Sequence, residues 1–236
     1  MAINVRFLQR FALLEGLPEA ELSSLASAMT LIRFVRRGVV LPKGELGPGL
    51  GFLLDGRLQG VDFTVDGREV GLYFVSPGEC FGELAVIDGK PASEFVIALS
   101  PAQVLFLPHE AARKLMVSVP RITDMVLKRL ASLARSATHH RTLLSLPNPM
   151  QRLCAQLLQL ATPSAHAIDN APTHQEIAIM INTSRETVTR ALQLLQGQHI
   201  LERKGSQLLL LLPDTLRKAA EGQLEQLKPA DPLKDA

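Results

Sequence analysis

The sequence predicts an α+β protein: a small N-terminal antiparallel β-barrel, one long helix and a C-terminal winged helix-turn-helix. Three observations carry this. Between Leu31 and Leu107, short apolar runs are cut at roughly ten-residue intervals by Arg37-Gly38, Asp55-Gly56, Asp66-Gly67 and Pro77-Gly78 among others, the texture of a small all-β unit. From Pro120 to Leu144, the residues Val126, Leu130, Leu133, Ala137, His140 and Leu144 recur at 4-3-4-3-4 spacing, which is a helix with one seam. From Thr173 to Gln196, two Thr-x-x-Glu patterns, Thr173 with Glu176 and Thr183 with Glu186, mark two helix starts ten residues apart.

The 236 residues, 47% of them hydrophobic, suffice for two cored domains and exclude a disordered chain. Expected boundaries are the barrel domain at 1–118, the long seam helix at 119–146 and the winged helix-turn-helix domain at 147–236. Net charge is +2 and unevenly spread: −3 over residues 1–108 (9 Lys+Arg against 12 Asp+Glu), +5 over 109–147 (7 against 2) and 0 over 148–236 (9 against 9). Affinity for nucleic acid must then come from placed arginines rather than bulk charge. Cys80 and Cys154 stand apart with no metal-ligand spacing, so neither a disulfide framework nor a zinc or iron–sulfur site is encoded. With no apolar run of about 18 residues and no signal-peptide profile, a cytoplasmic protein with no membrane partner is expected.

In chain order, residues 3–28 predict two short helices. The segment Pro77 to Ser93 interrupts the strands with a glycine-flanked helical piece, whose freed amides suit an anion. The seam of the long helix calls for a partner, and the economical one is the same helix of a second copy in a C2 dimer. Asn148-Pro149 reads as an N-cap followed by proline at the first helical position, leaving Leu146 to Asn148 as a hinge. Pro163 to Pro172 reads as a polar loop. Within Thr173–Gln196, Asn182 breaks the first helix and Gly197 is the natural residue to end the second. Ile200 to Arg203 and Gln207 to Leu212 flank Lys204-Gly205-Ser206 as a basic-tipped hairpin. A last amphipathic helix is expected over Asp214–Leu227, with a frayed end from Lys228.

At about 100° per residue, the apolar face of the second helix (Val188, Ala191, Leu192, Leu195) opposes Arg185, Glu186 and Arg190. Such residues near the N-terminal half of a helix suit the major groove: arginine donates to guanine and glutamate accepts from cytosine. Glu186 also fits the bland role of capping partner, and both arginines could hold only phosphates. Thr173 and Ser184 are caps first and phosphate contacts second, with Thr189 beside them.

The run Thr-Ser-Arg-Glu-Thr-Val-Thr-Arg at 183–190, together with Leu41-Pro42-Lys43-Gly44-Glu45, Leu53-Leu54-Asp55-Gly56 and Gly82-Glu83-Leu84, resembles the bacterial cyclic AMP receptor protein and fumarate-nitrate regulator (Crp/Fnr) family over residues 10–213. The resemblance implies a homodimeric transcriptional regulator, not an enzyme, with double-stranded DNA, a second copy and RNA polymerase as partners and palindromic sites with TGTGA-like half-sites. Its cyclic-nucleotide-binding cassette would comprise Gly82, Glu83, Leu84 and Ser93, with Thr138 of the long helix facing the purine. Cyclic AMP binders of the family carry Arg before that serine; Ala92 stands here, so the phosphate loses its charge-assisted partner. The cofactor is therefore left unknown. The cysteine set for an iron–sulfur cluster is absent, and haem would have only His109, His139, His140 or Cys80 to draw on. A cupin-type enzyme would need histidines that residues 1–108 lack. The remaining alternative is a non-transcriptional cyclic-nucleotide or adaptor module.

Overall fold

A computed structural model of the chain describes residues 5–223 apart from Arg68 and Pro163. Its contacts divide into two compact units, Met1–Arg135 and Ser136–Ala236.

The first unit opens with α1 (Val5–Leu8), a 3₁₀ turn (Ala12–Leu14) and α2 (Glu19–Ala28). Eight antiparallel strands follow: β1 (Thr30–Phe34), β2 (Val39–Leu41), β3 (Leu50–Asp55), β4 (Leu58–Phe63), β5 (Glu69–Val75), β6 (Cys80–Phe81), β7 (Phe95–Ala98) and β8 (Ala102–Leu107). They form two four-stranded sheets ordered β1-β8-β3-β6 and β2-β7-β4-β5. The expected barrel is thus a double-sheet jelly roll around one core, not a closed hydrogen-bonded ring.

Period-2 alternation explains why β3 and β8 read as unbroken apolar runs. Leu53, Val104 and Phe106 face the core between the sheets, where Phe81 meets Phe106 edge-on at 5.9 Å. Their neighbours Phe52, Leu105 and Leu107 face a second core, shared with Phe11, Leu22, Leu115, Ile122 and Val126 of the helices. Gly51 makes room for the ring of its cross-strand partner Phe81, since a Cβ there would lie 2.4 Å from it. Between β6 and β7, α3 (Glu83–Asp88) is bracketed by two left-handed glycines, Gly82 at φ 80° and Gly89 at φ 69°.

After α4 (His109–Ser118), α5 runs from Pro120 to Ser145, one residue past the expected end. Val126 is buried in the core of the first unit with Leu130 packed against it, and Leu144 packs against the core of the second. Leu133 and His140 are half-buried and Ala137 is exposed. Beside these positions Leu127 stands 60% exposed.

The second unit holds α6 (Pro149–Leu160), α7 (His174–Met180), α8 (Arg185–Gly197) and α9 (Pro213–Ala220) around a sheet ordered β10-β11-β9. The expected hairpin is β10 (Leu201–Lys204) and β11 (Gln207–Leu210). Asn148 caps α6 as its spacing predicts, Oδ1 accepting from Gln151 N at 2.8 Å. One expectation is corrected: the polar loop at 163–172 contains β9 (Ala167–Ile168), two buried residues paired with Leu209 and Leu208. Two apolar residues inside a polar run are too short for periodicity to register. The last helix ends at Ala220, short of the expected Leu227, and residues 224–236, on which the rest of that expectation and the frayed tail fall, lie outside the described residues.

Candidate nucleic-acid interface

The helix-turn-helix is set by its caps. At the start of α7, Thr173 Oγ1 accepts from Glu176 N at 3.3 Å while Glu176 Oε2 accepts from Thr173 N at 2.8 Å, the reciprocal box its spacing predicts. Asn182, left-handed at φ 50°, ends that helix, and Thr183 N donates back to Ala178 O at 2.9 Å. That bond commits Thr183 to the turn. The second capping box is therefore corrected: Ser184 is the N-cap of α8, its Oγ accepting from Thr187 N at 3.2 Å, and Glu186 is free of the box. Gly197 is corrected too, being the last helical residue. The left-handed residue beyond it is His199 at φ 53°, with Ile200 N donating to Leu195 O at 2.9 Å.

Val188, Ala191, Leu192 and Leu195 bury one face of α8 against Ile177, Ala178 and Ile181. On the other, Arg185, Glu186, Thr189 and Arg190 line one open depression. The Glu186 carboxyl is held below the usual glutamate range by its own backbone amide, then by the Ser184 hydroxyl and the Arg185 and Arg190 charges. Two guanidinium donors and one carboxylate acceptor are thus exposed on one face, the arrangement in which base edges are read.

Two residues outside the sequence-based set position this face. His174 Nδ1 lies 2.8 Å from Thr189 Oγ1, which itself donates to Arg185 O at 2.9 Å. With that hydroxyl proton spent, Nδ1 carries the proton and donates. Burial, then Arg203 of the wing and Arg185, lower the His174 pKa, so the neutral ring is favoured. From α6, Arg152 donates Nε to Ile181 O at 2.8 Å, Nη2 to Asn182 O at 3.5 Å and Nη1 to Leu146 O at 2.9 Å. Sequence reasoning missed both, because Thr189 and Ile181, the partners that hold this face, are 15 and 29 residues away and leave no local pattern.

In the first unit, Glu83 is buried and Oε1 accepts from Arg129 Nε at 2.6 Å; Arg129 Nη2 donates to Cys80 O at 2.5 Å. Leu84 is exposed. The Ser93 hydroxyl donates to the Glu94 carboxylate, which also accepts from Tyr73 OH at 2.7 Å. Burial, then Glu94, push the Tyr73 phenol well above its usual pKa. Thr138 is exposed on α5 within the second unit. This set does not fit a cyclic phosphate: Ala92 supplies no charge, and Ser93 is engaged by a carboxylate that would repel the anion. Of the residues considered for haem, His109 Nε2 sits 3.0 Å from Leu46 O. Burial pushes the Cys80 thiol up to about 11, and burial with the neighbouring His139 lowers the His140 pKa. Cys154, also buried, is pushed up to about 12.

Residues 31–118 match the cyclic nucleotide-binding domain and residues 151–219 the Crp-like helix-turn-helix domain. The chain belongs to the Crp/Fnr family of transcriptional regulators. This Crp/Fnr chain is 26% identical over 191 residues to a CRP-like cAMP-activated global transcriptional regulator of Mycobacterium tuberculosis, covering 78% of this chain and 85% of the relative. It is 26% identical over 159 residues to the cyclic AMP receptor protein of Thermus thermophilus, covering 67% and 73%. The fold matches FixK2 from Bradyrhizobium japonicum with a TM-score of 0.67 at 22% identity, covering 81% of this chain and 96% of that one. The chain is thus a Crp/Fnr-type transcriptional regulator with a cyclic nucleotide-binding domain and a helix-turn-helix DNA-binding domain, as the resemblance implies. Among the described residues, no helix is long and apolar enough to cross a membrane.

Proposed function

We propose that this Crp/Fnr regulator works as a homodimer joined along α5, reading a palindrome whose half-sites are similar to TGTGA. The observation that carries the reading is the exposed group Arg185, Glu186 and Arg190 on the N-terminal half of α8, backed by a fully apolar opposite face. Each arginine paired to guanine is worth about 1–3 kcal/mol against the wrong base. Thr173 and Ser184, both spent on caps, add backbone amides at helix starts where phosphates bind. A change in the sensor unit reaches α8 through α5 and the link Leu146 to Asn148, and it acts by shifting the population of DNA-competent dimers. RNA polymerase is the partner that such a regulator addresses. The effector is unknown, and cyclic AMP fits poorly, because Ala92 supplies no charge to its phosphate and Ser93 is engaged by Glu94.

Selection of random duplexes with the purified protein should return a palindrome with half-site centres about 10 bp apart. Recovery of unrelated sequences would overturn the reading. Calorimetry with cyclic AMP and cyclic GMP should show no binding to the wild-type chain; binding would refute the reading of Ala92 and Glu94.

A further inference from the structure

The first unit contains a cavity of about 240 Å³ lined by Glu83 and Arg129, and its lining includes none of the Ser93–Glu94–Tyr73 group. Phe11, Leu13, Phe52, Met116, Met125 and Val126 supply its apolar wall, and Ala12 and Glu79, the exposed members of the lining, mark its mouth. We propose that this cavity is a binding site for a small, neutral, largely apolar molecule carrying one hydrogen-bond acceptor, of the aryl ketone class.

Volume sets the size. An apolar cavity of about 150 Å³ accommodates benzene, so the space here suits an aromatic ring with a short substituent. An apolar guest releases water from the apolar part of the wall and gives its atoms dispersion partners.

Charge sets the chemistry. Arg129 lines the cavity with its Nε on Glu83 and its Nη2 on the Cys80 carbonyl, while Nη1 has no partner among the described residues. A carbonyl oxygen accepting from Nη1–H makes a charge-assisted bond and adds no net charge to the site. A carboxylate guest would instead set a second anion beside Glu83, with Glu79 at the mouth and one guanidinium to share. An ammonium guest would meet the guanidinium itself.

Methyl NMR of the full chain reads this site directly, because Met116 and Met125 line the cavity while Met150 and Met180 belong to the other unit. Met116→Leu and Met125→Leu variants assign the signals. Acetophenone should shift the Met116 and Met125 methyls saturably and leave Met150 and Met180 in place. Ethylbenzene, of similar shape without the oxygen, should bind at least roughly tenfold more weakly, the value of one hydrogen bond to a charged donor. Benzoate should produce no shift over the same range. No response of Met116 and Met125 to acetophenone removes the site; ethylbenzene binding as tightly removes the role of Arg129; benzoate binding as tightly removes the charge argument. None of these outcomes depends on what DNA sequence, if any, the chain selects.

Discussion

Arg152 donates from its Nε to the carbonyl of Ile181 at 2.8 Å, joining α6 to the C-cap of the first helix of the helix-turn-helix, one residue before the left-handed Asn182. The same guanidinium reaches Leu146, so one side chain fixes both the turn and the residue that follows α5. A cation at a helix C-terminus is favoured by the helix dipole as well. Arg152→Ala should cost the second unit about 2 kcal/mol through the loss of these charged donors. Chemical denaturation followed by a probe in each unit checks this: the second unit's midpoint should fall and the first unit's should not. Arg152→Lys, with no fork, should recover only part of the loss.

His174 gives the same unit a pH dependence. Burial and the charges of Arg203 and Arg185 lower its folded pKa below the ordinary 6.5. A depressed pKa means that the unfolded chain binds the proton more readily, so stability is full above 6.5 and is lost as pH falls from there through the folded value. His140, lowered by burial and by His139, adds in the same direction. His174→Ala should cost about 1 kcal/mol at pH 8, the value of its bond to Thr189, and should flatten the pH dependence that His140 does not account for. Thermal melts of the two proteins between pH 5 and 8 measure both effects.

The caps show how far the sequence could be read. Thr173 with Glu176 forms its box because nothing else claims Thr173; Thr183 fits the same pattern, yet its amide closes α7, and Ser184 takes the cap. Local pattern marked the two helices of the helix-turn-helix and the faces of α8, because apolar periodicity is written in the chain itself; it did not mark α4, which follows the last barrel strand with no cap pattern of its own. It did not fix which of two adjacent hydroxyl residues caps, nor β9, nor pairs such as Arg129 with Glu83, 46 residues apart, which exist only once the sheets close. Ser184→Ala should accordingly destabilise the second unit by about 1 kcal/mol, and Thr183→Ala should be nearly neutral. A larger loss from Thr183→Ala than from Ser184→Ala in a denaturation series would return the cap to Thr183.

Glu83 and Arg129 are 5% and 28% exposed, so their ion pair is largely dry. Removing one partner strands the other: Glu83→Leu should cost the first unit about 3 kcal/mol. Replacing both, as Glu83→Leu with Arg129→Met, should recover most of that loss, since apolar groups of similar size need no partner. The double-mutant cycle separates the pair from its surroundings. Additive losses would show that the two residues act independently.

The seam of α5 provides the last test. The spacing that starts at Val126 points to a dimer, but Val126 and Leu130 pack within their own unit, and the large apolar side chain left open beside them is Leu127. If two copies join along α5, Leu127 is the side chain that association must cover. Leu127→Glu should leave folding within about 0.5 kcal/mol of the wild type, since the site is exposed in the single chain. In the dimer it would bring two carboxylates together across the two-fold axis. Sedimentation should then show a monomer, and affinity for the selected palindrome should fall about 100-fold or more, as the second half-site loses its effective concentration. A Leu127→Glu protein that remains dimeric would place the interface elsewhere.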